Sequence, residues 1–308
     1  MKLLSINIVE SVSVILNLLI WSYSQVRKIP FSGDIKDHRG MKYKSKQHIK
    51  EDTFFIKQVI TYYIKGGRHN LPWRKHISSY RVLVSEIMLQ QTQVVRVIEK
   101  FSLWMKTYPT LASLKKATLQ DLLILWQGLG YQRRAKALFD IAQRTKKIPT
   151  SFEDLSTLKG IGPYTASALI AFAYDRFEHP LLETNIRTAL IEYFYAKKKE
   201  VKDDTLYEVL VRLETDPQVK KLGARTWYYA LMDYGAMLKA HNISHNAKVK
   251  GYTKQTRYKR STHKLHEKTV FAIADKTKLP EDERIGVVLT QLEKEGYITK
   301  IGNTYQIR

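Results

Sequence analysis

The sequence predicts a mainly α-helical protein with a small α/β unit at its C-terminal end. Up to residue 238, apolar residues recur mostly at intervals of three and four, which is typical of amphipathic helices. Alternation of apolar and polar residues, which indicates strands, is nearly absent there and occurs in two short runs around Gly302-Asn303. A length of 308 residues is enough for two modest domains.

Residues 1–40 differ in character from the rest of the chain. Residues 3–22 are rich in Leu, Ile and Val, but they include Glu10 and two asparagines, which are costly inside a bilayer. A membrane anchor, an uncleaved signal-like tail and residues upstream of the true start all remain open. We favour the last, because Met41 begins a plausible soluble protein. We therefore expect an N-terminal extension outside the fold and a cytoplasmic protein.

Two helices are predicted next, one over Glu51–Lys65 and a long one over Ser79–Phe101, with Ser79 as its cap. Five side chains at 4-3-4-3 spacing form the predicted buried stripe of the long helix: Val84, Met88, Gln91, Val95 and Ile98. Glu86 and Gln90 lie four residues apart on a neighbouring face. A glutamate beside an apolar stripe is usually exposed to solvent at the edge of that stripe.

Short helices are predicted over Leu111–Ala117 and Leu119–Gln127, and the second of them ends at Gly128-Leu129-Gly130. The helix that opens at Tyr131 carries three cations in its first turns: Arg133, Arg134 and Lys136. Cations there oppose the helix dipole, so a phosphate partner would relieve a local cost. A basic solvated face is the common alternative.

Two helices joined by a tight turn are predicted around residue 160. Ser151 caps a first helix that runs through Leu158, and Pro163 fits the first position of a second helix. Gly160 and Gly162 permit the backbone angles of a tight turn. Free N–H groups at the start of the second helix suit an anion such as a DNA phosphate, although an ordinary helical corner has the same pattern. The residues predicted to bind there are Lys159, Gly160, Gly162 and Thr165.

The segment 181–187 predicts another helix start, with Thr184 as a possible cap and Glu183 or Asn185 as alternatives. Further helices are expected over Thr205–Thr215 and Thr226–Leu238.

Residues 239–262 have the composition of a basic linker, since no Asp or Glu occurs from Gly235 to His266. Such a run can follow a DNA backbone or be disordered and solvated. Four histidines suggest a metal site, but no cysteine accompanies them, and we expect no metal.

The C-terminal residues predict a separate small domain. Helices over Leu265–Lys276 and Glu281–Glu295, followed by two strands, resemble a winged helix, a module that binds DNA or other proteins. The expected domains are therefore a main helical domain over residues 41–238, the basic linker, and a winged-helix-like domain over residues 263–308.

Charge and cysteine content limit the function classes. The chain has 52 Lys and Arg against 29 Asp and Glu, a formal charge of +23, which favours a polyanionic partner. Ribosomal and membrane-surface proteins share such an excess. The absence of cysteine excludes disulfides and cysteine-ligated iron–sulfur clusters.

Five stretches together resemble the helix-hairpin-helix DNA glycosylases, and most closely the A/G-mismatch adenine DNA glycosylase family. They are Leu71-Pro72-Trp73-Arg74, Ser85 to Val94, Trp126 to Tyr131, the turn at Leu158 to Ala166, and Ala230 to Met237. The resemblance implies the fold of that superfamily, with two helical subdomains, and removal of a base from double-stranded DNA.

The resemblance assigns roles to single residues. Glu86 falls at the general acid that protonates the leaving adenine, which requires a raised pKa. Glu183 falls where the family has an aspartate that stabilises the sugar cation, and Asn185 matches a neighbouring site residue. Gln90 and Gln91 lie where the family probes the base opposite the adenine.

Two tyrosines complete the implied site. Tyr131 matches a residue that wedges into the base stack and offsets part of the cost of flipping a base out of the duplex. Tyr164 occupies the position of a lysine in relatives that also cut the strand, so the resemblance implies a glycosylase with little or no lyase activity.

The chain departs from the family pattern in four places. Glu183 replaces the aspartate and moves its carboxylate by roughly 1 to 1.5 Å, which can lower the rate about a hundredfold. Lys239 falls where the first cysteine of the family's iron–sulfur cluster would stand, so we expect no cofactor and a DNA contact from the basic segment instead. Gln132 stands where an aromatic residue is common. The C-terminal unit does not look like the family's 8-oxoguanine-recognising domain.

The resemblance implies a monomeric, monofunctional, nucleoid-associated glycosylase that removes adenine opposite guanine or 8-oxoguanine. The sequence identifies no protein partner. Two alternatives remain: a mismatch thymine or uracil glycosylase, and a DNA-binding protein with an inactive site.

Overall fold

The computed structural model describes the backbone of residues 35–36, 42–43, 46–250 and 262–308, and the side chains of 49–250 and 264–308. The candidate anchor at residues 3–22 and most of the second half of the expected linker lie outside these residues. Within the described part of the chain, no helix is both long and apolar enough to cross a membrane.

Helices dominate the described residues. In chain order the elements are β1 (Ile35–Lys36), β2 (Lys42–Tyr43), α1 (Lys46–Gly66), α2 (Ser79–Leu89), α3 (Val94–Thr107), α4 (Leu111–Lys115), α5 (Leu119–Trp126), α6 (Arg133–Arg144), α7 (Phe152–Thr157), α8 (Pro163–Tyr174), α9 (Thr184–Phe194), α10 (Asp203–Glu214), α11 (Pro217–Leu222), α12 (Ala224–Ala240), α13 (Thr262–Ala274), α14 (Ile285–Lys294), β3 (Ile298–Ile301) and β4 (Thr304–Ile307). This composition confirms the predicted mainly α-helical class.

The chain forms two compact units, each discontinuous in sequence. The first unit includes residues 46–68 and 182–250, and the second includes 69–181 and 262–308. In the first unit, α12 packs against α9 and α1. Two partly buried ion pairs tie its distant segments together: Arg212 to Asp52 with a 2.7 Å contact, and Arg68 to Asp233 with a 2.6 Å contact.

Close approach of α12 to α9 depends on Gly235. A Cβ added at Gly235 would stand 2.0 Å from the carbonyl oxygen of Asn185 and 2.9 Å from its Cα. These are backbone atoms, so no side chain can move aside. The glycine therefore sets the spacing of the two helices and, with it, the position of the first turn of α9.

In the second unit, α2 packs on α8, and α6 packs on α4 and α5. The indole rings of Trp104 and Trp126 meet edge to face at 5.8 Å. Trp104 Nε1 donates to the Tyr80 hydroxyl at 3.0 Å, and that hydroxyl donates to the Tyr108 carbonyl at 2.8 Å. Burial of apolar and aromatic surface of this kind is the main source of stability.

The C-terminal elements belong to the second unit. Strands β3 and β4 pair antiparallel from Ile298↔Ile307 to Ile301↔Thr304, at the predicted place. Helix α13 packs on α5, where Gln120 Nε2 donates to the Ala274 carbonyl at 2.8 Å.

The prediction of one long helix over Ser79–Phe101 is wrong. The chain breaks between α2 and α3, and Gln91 adopts a left-handed conformation with φ of 55°. Its predicted stripe fails beyond Met88: Val95 is 79% exposed, and the buried face of α3 is formed by Val97, Phe101 and Trp104. The residues between the two helices are not helical, so the side chains of α3 no longer face the direction that the spacing of α2 predicts.

Three smaller expectations also differ. Ser78, one residue earlier than predicted, caps α2 by accepting the N–H of Arg81. The short helix α11 was not predicted. The part of the basic segment that the structure describes is packed: the 3-10 turn Asn246–Lys248 leads to Val249, which bridges Val201 in parallel, with Val201 N–H donating to the Lys248 carbonyl at 2.9 Å.

Replacing Gly235 with alanine should destabilise the protein by about 1 to 3 kcal/mol, because the new Cβ collides with the backbone of α9. The matched control is Gly286→Ala in α14, where no atom lies within 4 Å of the added Cβ. That change should be neutral or stabilising by about 0.5 to 1 kcal/mol. Urea unfolding measures both, and equal effects would contradict the packing argument.

Candidate functional site

Glu86 lies on α2 and is 7% exposed. The helix is buried on most of its circumference, since Tyr80 and every residue from 82 to 88 are buried. The expectation that a glutamate beside the stripe is a solvated edge is therefore wrong for this residue. Burial disfavours the charged form of a carboxyl group.

The two predicted base-probing glutamines lie at the C-terminal end of α2. Gln90 is its C-cap residue, and its Nε2 donates to the hydroxyl of Thr165 at 3.2 Å. Thr165 is buried in the first turn of α8. Gln91 is exposed in the left-handed conformation. Gln90 is thus anchored to the corner formed by α7, the turn at residues 158–162 and α8, called here the helix-turn-helix corner. Gln91 follows it in a turn conformation.

Arg134 is the group that organises this end of α2. Arg134 is 5% exposed. Its guanidinium donates to the carbonyls of Ile87, Met88 and Gln90 at 2.6 to 3.1 Å. The same group donates to the carbonyls of Leu129 and Gly130 at 2.7 and 2.9 Å and to the Thr92 hydroxyl at 3.1 Å. It therefore satisfies carbonyls that a helix end leaves without partners.

Tyr131 follows that loop and has a left-handed backbone, with φ of 49°. Its half-buried ring lies 5.5 Å from the Arg133 Cζ and 5.6 Å from the Arg134 Cζ. Of the three cations predicted to start this helix, Arg133 is exposed, Lys136 pairs with Asp140 at 3.0 Å, and Arg134 is buried. The three cations therefore do not form one exposed basic face, and a phosphate contact of Arg133 stays a prediction.

The helix-turn-helix corner has the predicted form. Ser151 caps α7, Pro163 is the first residue of α8, and Gly160 has a φ of 91°. Gly162 has an ordinary φ of −88° as the cap residue, so it needs no special backbone angle. Lys159 is exposed beside Gly160, and Tyr164 is half-buried at the second position of α8.

In the first unit, Glu183 caps α9. Its Oε1 accepts the backbone N–H groups of Asn185 and Ile186, both at 2.8 Å. Its Oε2 accepts the Asn185 side-chain amide at 3.1 Å and the Thr184 hydroxyl at 3.2 Å. Thr184 is therefore not the cap. The longer side chain folds back onto its own helix, where the N–H groups and the dipole favour a negative charge.

Lys239 reaches this cap from α12. Its Nζ donates to the Thr184 hydroxyl at 2.9 Å. Desolvation lowers the pKa of Lys239, while the nearby Glu183 carboxylate opposes that shift and Arg187 adds to it. Lys239, at the position where the resemblance implies a cluster cysteine, thus contacts the hydroxyl that donates to the Glu183 carboxylate.

The residues present do not fit the iron–sulfur cluster of the family. Cysteine is absent from the sequence, and the segment after α12 is held by protein contacts. His245 pairs with Glu192, His241 Nδ1 lies 2.9 Å from the Met237 carbonyl oxygen, and Asn246 Nδ2 donates to the Thr188 hydroxyl at 3.4 Å. Among the described residues, no group of three His, Asp or Glu side chains is arranged to hold a metal ion.

Comparison with known proteins agrees with this geometry. Residues 84–214 match the model of the HhH-GPD superfamily base excision DNA repair proteins. This match includes α2 from Val84 onward, the loop before Arg134, the helix-turn-helix corner and the Glu183 cap.

Residues 84–214 are thus similar to an HhH-GPD domain.

Curated relatives include an adenine DNA glycosylase of Buchnera aphidicola, 36% identical over 193 residues, which cover 60% of this chain and 54% of that protein. One of Mycobacterium tuberculosis is 39% identical over 135 residues, 42% of this chain and 44% of the relative. This chain therefore spans about half the length of these relatives. A solved thermostable thymine-DNA glycosylase shares the fold, with a TM-score of 0.54 and 19% identity over 66% of this chain and 94% of that one.

Sequence reasoning missed the role of Arg134, although a signal was present. Arg134 lies four residues before Leu138 and seven before Ile141, and all three are buried on one face of α6. A basic residue in phase with an apolar stripe indicates a buried cation. The contact of Lys239 with Thr184 had no comparable signal, because it joins residues 55 positions apart.

Replacing Arg134 with lysine should destabilise the protein by about 2 to 5 kcal/mol. The charge remains, but an ammonium group cannot donate to both the end of α2 and the Leu129–Gly130 carbonyls as the planar guanidinium does. Some carbonyls at the end of α2 would therefore lose their donors. The control is Arg133→Lys at the adjacent exposed position, which should change stability by less than about 0.5 kcal/mol. Thermal and urea unfolding distinguish the two; similar losses would refute this role of Arg134.

Proposed function

We propose that the protein is a DNA glycosylase that removes adenine mispaired with guanine or 8-oxoguanine, without cutting the strand. The observation that carries this is the buried Glu86 on α2, the helix that ends in the anchored Gln90 and the exposed Gln91. The curated relatives named above are adenine DNA glycosylases, and the matched region contains these residues.

Glu86 serves as the general acid in this proposal. Adenine leaves as a neutral base only after a ring nitrogen has gained a proton, and a positioned carboxylic acid typically contributes about 10²- to 10⁴-fold to such a step. The dry interior around α2 favours the protonated form before the reaction. Water adds to the sugar carbon, and its proton restores the neutral acid.

Glu183 supplies the negative charge that stabilises the sugar cation. Its hydrogen bonds to Asn185 and Ile186 hold the carboxylate against the start of α9, and Lys239 reaches it through Thr184. The same bonds restrict how far the carboxylate extends toward a substrate. Glu183 therefore acts at reduced efficiency relative to an aspartate at this position.

The second candidate is a DNA-binding protein with an inactive site. The capping role of Glu183 favours it, because both carboxylate oxygens are already occupied within α9. The proposed activity and this alternative differ in one measurable result, the release of a base.

Glu86→Gln should lower single-turnover base release by at least about 10²-fold while leaving duplex affinity within about twofold, because the amide keeps the shape but cannot donate the acid proton. The assay uses duplexes with adenine opposite guanine or 8-oxoguanine, followed by alkali. A panel with mismatched thymine and uracil checks the base. If neither wild type nor variant releases any base, the inactive binder is the better description.

Glu183→Gln should lower the rate by about 10²- to 10³-fold, since the charge facing the sugar cation is lost. Glu183→Asp keeps a good helix cap and restores the shorter carboxylate, so the rate should rise by up to about a hundredfold. Single-turnover rates at saturating protein measure both. A lower rate for Glu183→Asp would show that the carboxylate of Glu183, as positioned by its hydrogen bonds to α9, stabilises the sugar cation better than that of an aspartate.

Tyr164 cannot form a Schiff base, so wild-type product strands should stay intact until alkali is added. Borohydride should trap no covalent complex. Trapping by wild type, or strand cleavage without alkali, would overturn the monofunctional assignment.

A further inference from the structure

We propose that the β3–β4 hairpin is a second DNA-binding element, which contacts the phosphate backbone of the duplex beside the helix-turn-helix corner. The inference rests on the proposed function only in requiring that the protein binds duplex DNA. It adds a binding surface that the site described above does not include.

The first argument is the place where the hairpin meets α6. The turn of the helix-turn-helix corner and the turn before β3 both approach this helix through a glycine. A Cβ at Gly160 would stand 2.6 Å from the Cβ of Ala137, and one at Gly296 would stand 3.8 Å from the Cε of Lys136. Lys136 and Ala137 are consecutive, so the two turns lie on adjacent faces of one helical turn.

The second argument is how firmly the hairpin is held there. Tyr297 is 4% exposed, and its N–H donates to the Leu292 carbonyl at 2.9 Å. The Tyr297 carbonyl accepts the N–H of Arg308 at 3.0 Å. Burial raises the pKa of Tyr297, with Asp140 and Arg133 of α6 close enough to act on it. These bonds hold the hairpin to α14, with β4 packed on α13, and Tyr297 lies beside α6, near Arg133 and Asp140.

The third argument is the charge that this packing gathers. Lys136 Cε and Arg308 Nη1 each lie within 4.0 Å of the Cβ position of Gly296, although they come from α6 and from the end of the chain. Three further basic residues are exposed, at the start of α6, on the corner and on the hairpin respectively: Arg133, Lys159 and Lys300.

The acidic groups of this surface are largely engaged with its own residues. Asp140 pairs with Lys136 at 3.0 Å. Glu293 accepts the Lys300 N–H at 3.2 Å, and Glu295 accepts the Gln291 amide at 2.8 Å. Asp140 and Lys136 offset each other, and the exposed cations Arg133, Lys159, Lys300 and Arg308 outnumber Glu293 and Glu295, which keep their charge. A row of exposed cations continuous with a helix-turn-helix corner is complementary to the phosphates that flank the target base.

The test compares two double variants with the same loss of charge. Lys300→Ala with Arg308→Ala removes two cations of the hairpin surface. Lys146→Ala with Lys147→Ala is the matched control, because both lysines are exposed just beyond the far end of α6, about 18 Å along the helix from its start. Dissociation constants for a 25-base-pair duplex are measured between 50 and 300 mM salt.

We expect the hairpin variant to bind roughly tenfold more weakly near 100 mM salt and to lower the salt slope of log K by about 1.8, that is about 0.9 for each lost phosphate contact. The control pair should leave the slope unchanged. A hydroxyl-radical footprint should shorten on one side of the target base only for the hairpin variant.

Equal slopes and footprints for the two double variants would overturn the inference and leave the hairpin as a surface for another protein. Wild type that fails to bind duplex DNA would also overturn it. Single-turnover base release at saturating protein separates this from the proposed function. If the protein releases base and the two double variants have equal salt slopes, only the hairpin contact is rejected. If no base is released but the salt slopes differ, only the proposed enzyme activity is rejected.

Discussion

The guanidinium of Arg134 is the interaction on which the candidate site depends. It joins the end of α2 to the loop before Tyr131 through carbonyls on both sides. A buried charge is costly unless its donors are used, and here the donors serve as the cap that α2 lacks. Gln90, Gln91 and Tyr131 therefore take their places from one buried side chain. The positions proposed to probe bases depend on hydrogen bonds that form only in the folded protein.

The two proposed carboxylates illustrate opposite uses of the same chemical group. Glu86 is buried on α2, where less water is available to solvate a charge. Glu183 lies at a helix start, where N–H donors and the dipole replace water. Side-chain type alone does not distinguish these cases, and the surroundings decide which state each group favours. A pair of carboxyl groups with such different environments is what an acid and a counter-charge require.

The helical class, the helix-turn-helix corner and the C-terminal hairpin were predictable from sequence, because caps, glycines and period-two alternation are local signals. The break at Gln91 was not, since it depends on Arg134, 43 residues further along the chain. The exposure of Val95 followed from the same error. The cap at Glu183 was one of three open alternatives, and only the hydrogen bonds of its two oxygens decide among them. Long-range contacts set the geometry of the site, and a sequence pattern does not report them.

The discontinuous first unit has a consequence for synthesis of the protein on the ribosome. Helix α1 presents Phe55, Ile56 and Val59, all 0% exposed in the finished fold, to partners in α9 and α12. Those helices are translated only after the intervening residues 69–181. At about 5 to 20 residues per second, this apolar surface waits on the order of 10 to 35 s for its partners. The nascent chain therefore passes through a period in which a chaperone that shields apolar helices has the most to bind.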